Sequence, residues 1–284
     1  MKSPPMNSEI TFLIPVYNAE AFLPECLSSL LGQSDPSWKA VIVDDGSTDS
    51  SPAILENCTD SRITVIRQPN AGPAAARKTA LNAVGSGYVL FLDADDYLSV
   101  EAVRVLNQAS RSGEDIIVFT AQKVKGGELG HFVKDPLAET SAAYSDAIFT
   151  RKAHGCLWNK LFRRDLFGED IMYPRYGYGE DRVMCIQLAR KARSLKFVDD
   201  VLYYYRKDNP SGLTKRRRRS RKLMEARNYM DLGKWTGERK YMAKGAWLAF
   251  LYGREALRDY RNEIKGLGGI DTLPARLYLR LTSN

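Results

Sequence analysis

Three carboxylates stand within four residues at Asp93-Ala94-Asp95-Asp96, directly after the apolar run Tyr88-Val-Leu-Phe-Leu92. Like charges at that range repel and raise one another's pKa unless a cation joins them. A hard divalent cation, Mn2+ or Mg2+, resolves the conflict by taking one or two carboxylates and filling its shell with waters and phosphate oxygens. A solvated Asp-rich turn uses the same residue types with no ligand. A second acidic pair, Asp44-Asp45, closes the apolar run 39–43 and leads into Gly46-Ser47-Thr48-Asp49. A carboxylate there can accept a ring N–H from a nucleobase or bind ribose hydroxyls; equally, Asp45 and Ser47 can simply shape the loop. A third element, Asn70-Ala-Gly72-Pro-Ala-Ala-Ala76-Arg77, turns into an Ala-rich helix that presents Arg77. Its guanidinium suits a phosphate or a strand-end Asp.

These residues need elements that bring them together. Apolar runs at 10–16, 39–43, 63–66, 88–92 and 116–120 read as strands, and the stretches 21–31, 51–58, 74–84 and 100–110 carry helical periodicity. Ser50 or Ser51 can cap the second helix, with Pro52 in its first turn. Such alternation predicts a Rossmann-like, mainly parallel α/β sheet flanked by helices. Ligands bind such sheets beyond the carboxyl ends of the strands, where both acidic clusters fall. Beyond Lys125 a polar, turn-rich stretch opens with Gly126-Gly127, residues 156–162 read as strand or short helix, and 173–179 as a loop with three Tyr. A helix is expected over 181–191, strands over 195–198 and 201–205, and a C-terminal helical extension after Lys215.

Composition narrows the function. The 284 residues hold 44% hydrophobic and 27% charged residues, enough for a substantial core. Lys plus Arg is 42 against 34 Asp plus Glu, a net +8 that favours anionic partners. The longest apolar stretches fall far below the roughly 18 residues of a bilayer span, and residues 1–10 lack a secretory signal pattern. A cytoplasmic location is expected. Four cysteines, none spaced C-x-x-C, and two isolated histidines leave little material for a zinc site or a His-based triad.

Taken together, Ile14-Pro15-Val-Tyr17-Asn18, Val43-Asp44-Asp45-Gly46-Ser47-Thr48-Asp49, Asn70-Ala-Gly72-Pro-Ala-Ala-Ala76-Arg77 and Leu92-Asp93-Ala94-Asp95-Asp96 resemble the family 2 glycosyltransferases of the GT-A fold. The likeness in order and spacing covers about residues 10–120. Weaker matches, Trp158-Asn159-Lys160-Leu-Phe162, Gly179-Glu180-Asp181 and Tyr203-Tyr-Tyr-Arg206 with Ser211 and Thr214, extend it to about 214. Lys78 stands where the family usually has Asn.

The resemblance implies an inverting transfer of a hexosyl or N-acetylhexosaminyl group from a nucleotide-diphosphate sugar to a cell-surface glycan or lipid-linked saccharide. It implies a UDP-linked donor, with GDP-mannose kept open because guanine also offers ring N–H donors. By position, Pro15 and Tyr17 would frame the base, and Asp45 would accept the uracil N–H with Asp44 supporting its loop. Arg77 would hold Asp45 or reach the base and phosphates. Asp93 and Ala94 would line the donor, Asp93 near the ribose or through water on the metal, and Asp95 would ligate Mn2+ or Mg2+ directly. Arg206 would close over the diphosphate. Asp181 is the implied base on the acceptor hydroxyl, with Glu180 second; a helix-start charge pair favoured by the macrodipole is the plainer account of both. Trp158, Asn159 and Lys160 form the implied acceptor set, although Trp158 can equally be core.

Three regions follow: 1–125 for the nucleotide sugar, 126–214 for the acceptor and base, and 215–284, basic and helical. The block from Lys215 to Lys222, seven of eight residues basic, is expected to attract an anionic membrane surface at the inner face of the cytoplasmic membrane. A solvated face is its plainer account, and no nucleic-acid motif accompanies it. Trp235, Trp247, Phe250, Leu251 and Tyr252 can form an interfacial face, or simply pack on the catalytic domain or on another subunit of a homo-oligomer. The rival activity is a sugar nucleotidyltransferase, which would need a Gly-rich loop where Pro15-Val-Tyr17-Asn18 stands. The rival from another class is a membrane- or nucleic-acid-binding scaffold on the same fold. A dinucleotide oxidoreductase lacks its G-x-G-x-x-G here.

Overall fold

Strand β1 (Ile10–Val16) is buried along nearly its whole length, as expected of a strand covered on both faces of a parallel sheet. The structure, a computed structural model, describes residues 9–209 and 218–252. Helix α1 (Leu23–Leu31) sets Leu23, Cys26, Leu27 and Leu30 inward at helical spacing, with Pro24 in its first turn. β2 (Trp38–Asp44), α2 (Ser51–Glu56), β3 (Ile63–Arg67), α3 (Pro73–Asn82) and β4 (Tyr88–Phe91) continue the alternation. Then come β5 (Tyr97–Leu98), α4 (Ala102–Ser110), β6 (Ile116–Lys125), β7 (Glu128–Val133), α5 (Ser141–Phe149), β8 (Lys160–Arg163), α6 (Glu180–Lys191) and β9 (Leu195–Arg206). Helices α7 (Arg218–Thr236) and α8 (Arg239–Tyr252) follow.

The sheet runs β3-β2-β1-β4-β8-β6-β9-β5, with β7 paired to β6. β3, β2, β1 and β4 are mutually parallel, β8 is antiparallel to both β4 and β6, and β9 is parallel to β6. The expected α/β sheet, mainly parallel and flanked by helices, is therefore the observed one. Ile10, Phe12, Ile14, Leu90 and Phe119 meet Leu23, Leu27, Leu30, Val103 and Leu106 in its main core.

The chain forms two compact units. One comprises the described residues up to Asp170 with Cys185–Asn209; the other comprises Ile171–Met184 and the described residues from 218 onward. Among the described residues no helix is long and apolar enough to cross a membrane.

Several elements differ from the sequence expectation. The strand expected to stop at Thr120 continues to Lys125 and returns as β7 through Gly126 and Gly127, both at positive φ. That backbone suits a two-residue hairpin turn. β7 is exposed except at Val133, so it shows no alternating apolar signal. The two strands expected over 195–205 are one, interrupted by register shifts opposite Thr120. α5 went unread; Thr140 caps it by accepting from Ala143 N at 3.1 Å. Neither Ser50 nor Ser51 makes a side-chain cap bond on α2; Ser51 Oγ instead accepts from Ala19 N at 2.9 Å, tying the α2 start to the β1 loop.

Candidate active site

The carboxyl ends of β1, β2 and β4 lie side by side, with Val16 opposite Asp44 and Leu13 opposite Phe91. The loops bearing Tyr17, Asp45 and Asp93 thus leave one edge of one sheet. Pro15 is half-buried, and Tyr17 is 52% exposed above it. Asn18, at φ 48°, ties this loop to the next: its Oδ1 accepts from Thr48 N at 2.8 Å, and its own N–H reaches Ser47 Oγ at 3.1 Å.

Asp44 and Asp45 are both buried. Asp44 Oδ1 accepts from Ser47 N at 2.9 Å, closing the turn, and Arg67 Nε lies 3.3 Å from Oδ2 as an ion pair without hydrogen-bond geometry. Asp45 Oδ1 accepts from Gln68 Nε2 (2.7 Å) and Ala71 N (3.0 Å), and Oδ2 accepts from Gly72 N (2.8 Å). Asp45 therefore supplies, from another strand, the anion at the start of α3, whose own N-cap Gly72 has no side chain to offer. A carboxylate oxygen with one bond keeps capacity for a further donor. Gly46 sits at φ 74°, and a Cβ there would lie 2.8 Å from Asn70 N. Only glycine lets these two loops approach so closely.

The Asp93–Asp96 turn is pinned from several sides. Arg77 Nη2 donates to Asp93 Oδ1 at 3.0 Å, and Ala94 is buried. Asp95 Oδ2 accepts from Asn209 Nδ2 at 2.7 Å, and the Asp95 carbonyl accepts from Arg206 Nε at 2.9 Å. Arg206 also pairs with Glu25 and lies over the rings of Phe22 and Tyr97 at 5.1 and 5.6 Å. Asp96 is buried; its carboxylate accepts from Tyr203 Oη and Arg206 N, both at 2.7 Å. The same Tyr203 oxygen accepts from Asp93 N at 3.2 Å. Burial, then the Asp96 charge, pushes the Tyr203 phenol well up, so it stays protonated and keeps donating.

Burial, then the Asp93 charge, raises the Asp95 carboxyl; burial, then Asp95 and Asp93, raises Asp96 further. Such a cluster of partly buried acids is the electrostatic condition that a bound cation relieves. Among the described residues no three His, Cys, Asp or Glu side chains form a preassembled metal cage. The donor set on offer, Asp95 with Asp93, suits a hard cation that keeps its remaining positions for water and phosphate oxygens.

Tyr203→Phe would strip the turn of this phenol while keeping the ring that stacks on Trp158 at 4.9 Å. Leaving a buried acceptor one donor short costs about 1–3 kcal/mol. The urea midpoint should fall accordingly; an unchanged midpoint would show that the bridge does not hold the turn.

Of the residues assigned to the acceptor, Trp158 is buried and stacks on Tyr203 and Tyr205. Asn159 and Lys160 are 0% exposed. Lys160 Nζ donates to His154 O, Cys156 O and Asn159 Oδ1, and lies 3.5 Å from Asp135. Burial works against the Lys160 charge, and Cys156, Cys185 and Asp135 outweigh it, leaving its pKa raised. Burial likewise opposes the Asp135 charge, and the His154 bond with Lys160 overcomes it, leaving Asp135 strongly acidic. The structure thus sets Asn159 and Lys160 inside a buried polar network and presents neither at the surface.

Glu180 and Asp181 belong to the second unit and open α6, Glu180 buried and Asp181 half-buried. The aromatic loop before them is clipped to α7 by Asn228. Its Nδ2 donates to Tyr176 O (2.9 Å) and Tyr178 O (3.1 Å), and its Oδ1 accepts from Tyr176 N (3.3 Å). Arg221 lies over Tyr178 and Arg227 over Tyr176, at 5.2 and 5.4 Å. Lys222 pairs with Glu225 at 2.7 Å, and Arg219 Nε donates to Tyr252 O at 2.7 Å. Much of the described part of the basic block is therefore engaged within its own unit. Ser211, Thr214 and residues 215–217 lie outside the described residues.

The sequence reading assigned no role to Gln68, Glu25, Asn209 or Asn228, and gave Asp96 and Tyr203 only as members of longer motifs. Their partners lie between 23 and 181 positions away in sequence, except that Gln68 also accepts from Thr79, 11 positions on. A polar residue just past the third parallel strand was the one local sign of Gln68.

Comparison with known proteins gives a consistent picture. The family model described as Glycosyl transferase family 2 matches residues 11–170. The uncharacterized glycosyltransferase EpsJ of Bacillus subtilis (strain 168) is 30% identical over 221 residues, covering 72% of this chain and 62% of EpsJ. A poly(ribitol-phosphate) beta-glucosyltransferase of Bacillus spizizenii is 32% identical over 207 residues, covering 69% of this chain and 32% of that protein. The chain thus matches less than two thirds of the length of either relative. The crystal structure of S. aureus TarS 1–349 in complex with UDP-GlcNAc superposes with a TM-score of 0.68 at 22% identity, covering 87% of this chain and 74% of that one. That likeness establishes the fold.

Proposed function

The chain belongs to glycosyl transferase family 2, and from that membership we propose that it moves a sugar from a nucleoside-diphosphate donor to a hydroxyl of a cell-surface glycan, with inversion. The observation that carries this reading is the convergence of Tyr17, Asp45, Arg77, Asp93 and Asp95 at one sheet edge, ending in an acid turn that burial leaves electrically unbalanced. A UDP-linked donor fits. Tyr17 offers an exposed ring for a base to stack on, and Asp45 Oδ2 keeps capacity for a ring N–H. The similar TarS chain was crystallised with UDP-GlcNAc, and the relative from B. spizizenii is named for transfer to poly(ribitol-phosphate).

In the proposed reaction, Asp181 takes the proton from the acceptor hydroxyl as its oxygen bonds to the anomeric carbon. The bond to the diphosphate breaks at the same time, and its electron pair leaves with the nucleoside diphosphate. Mn2+ or Mg2+, held by Asp95 with Asp93, would supply charge stabilisation for that leaving group. Arg77 holds Asp93 in place, and Arg206 fixes the Asp95 backbone. Asn159 and Lys160 act from within, shaping the loop beneath Trp158 rather than touching sugar.

A panel of nucleotide sugars tests this. With Mn2+ present, one donor or a small group should release nucleoside diphosphate faster with a glycan acceptor than without. Release from no donor, or formation of a sugar nucleotide from sugar phosphate and nucleoside triphosphate, would contradict the reading.

A further inference from the structure

Asp45 is held by more than its own loop. In the parallel register of β2 and β3, Asp44 stands opposite Arg67, so Asp45 and Gln68 leave their strands side by side. Gln68 N donates to Asp44 O at 3.0 Å, and its side-chain Nε2 donates to Asp45 Oδ1 at 2.7 Å. An ionised carboxylate only accepts, so the amide must present its nitrogen there and turn its oxygen to another donor. Thr79 on α3 is that donor: its hydroxyl reaches Gln68 Oε1 at 2.7 Å. One amide is thus fixed at both ends. The result is a carboxylate with two unlike oxygens. Oδ1 receives Gln68 Nε2 and Ala71 N, which fill its two lone pairs, whereas Oδ2 receives Gly72 N and keeps one.

A base that meets this carboxylate therefore finds room for a single donor. Uracil offers one ring N–H, set between two carbonyl oxygens, and matches. Guanine offers a ring N–H and an exocyclic amino group side by side, the arrangement that grips both oxygens of a carboxylate at once. With Oδ1 already filled, the second of these donors would enter the site without an acceptor. A site that strands a polar group in this way rejects the ligand that carries it. We propose that Gln68, locked by Thr79, selects the base: by occupying Asp45 Oδ1 it admits a uridine diphosphate and turns away a guanosine diphosphate. The inference rests on the reading of Asp45 as the base-binding carboxylate, and it adds the residue that decides which base that carboxylate accepts. A Gln68 that only braced the loop would serve either base equally.

Titration calorimetry of the full chain with UDP and with GDP, each in the presence of Mn2+, tests the inference. The unaltered chain should bind UDP at least about tenfold more tightly than GDP. Gln68→Ala should cut that preference about tenfold, because Oδ1 then opens to the guanine amino group. Thr79→Val should cut it in the same direction by less, because the amide is then free to turn away from Asp45. The readout is a ratio of two ligands on one protein, so a general loosening of the loop cancels from it. A ratio that both variants leave unchanged, even with both affinities weakened, would overturn the inference and make Gln68 a brace. Equal or tighter binding of GDP by the unaltered chain would overturn it too, while leaving a nucleoside-diphosphate donor in place. Binding of neither nucleotide would instead bring down the donor-site reading itself, and the inference with it.

Discussion

Asp95→Asn is expected to lower sugar transfer by about two to three orders of magnitude while leaving the protein folded and no less stable. The two halves of this result have one cause. Burial and the charge of Asp93 both disfavour the ionised Asp95 carboxyl in the folded chain and raise its pKa. A carboxylate whose folded pKa is raised opposes folding at neutral pH, because its ionisation costs more in the folded chain than in the unfolded one. Asparagine has nearly the same shape, removes the charge, and can still accept the bond from Asn209 through its amide oxygen. The thermal midpoint measured without divalent cations should therefore stay level or rise. Transfer, by contrast, should lose the negative oxygen that would anchor a cation at the diphosphate. Initial rates of nucleoside-diphosphate release over a Mn2+ series, alongside melting curves, read both halves. An active variant would remove Asp95 from the chemistry, and an inactive variant with a collapsed melting curve would make its role structural.

Asp181→Asn should reduce turnover by about 10²–10⁴-fold with donor affinity unchanged, the range for loss of a general base. Glu180→Gln should do less. Glu180 is buried, whereas Asp181 is only half-buried at the same N-terminus. Binding of nucleoside diphosphate, followed by titration calorimetry, separates the two roles. A base variant binds donor normally and does not turn it over, but a damaged donor site shows weakened binding first. Wild-type turnover in Asp181→Asn, or a larger loss in Glu180→Gln, would move the base elsewhere. Asn228 ties the loop that leads into Asp181 to α7 through the carbonyls of Tyr176 and Tyr178.

The strand tips were readable because their signals are local. An apolar run that ends in acids marks the exit of a buried parallel strand, and a Gly-Pro turn before alanines marks a helix start. Apart from Arg77 and its strand-end Asp, the contacts that fix those acids in space were not readable. Tyr203 reaches Asp96 across 107 positions, Arg206 reaches Asp95 and Asp96 across 111 and 110, and Asn209 reaches Asp95 across 114. No spacing rule spans such distances; the pairing of β5 with β9 brings them together. Lys160 shows the opposite failure. A lysine beside a tryptophan invites a surface role, yet Asp135, three carbonyl oxygens and tertiary packing hold this one inside. β7 was missed because an exposed edge strand carries no inward-facing apolar set.

The most direct test is a crystal of this chain grown with Mn2+ and a UDP-sugar, with diffraction collected at the manganese edge. The account predicts one anomalous peak in contact with the Asp95 carboxylate and the diphosphate, with uracil between Tyr17 and Asp45. Manganese or diphosphate bound away from the turn between Asp93 and Asp96, or a base that never meets Asp45, would contradict it.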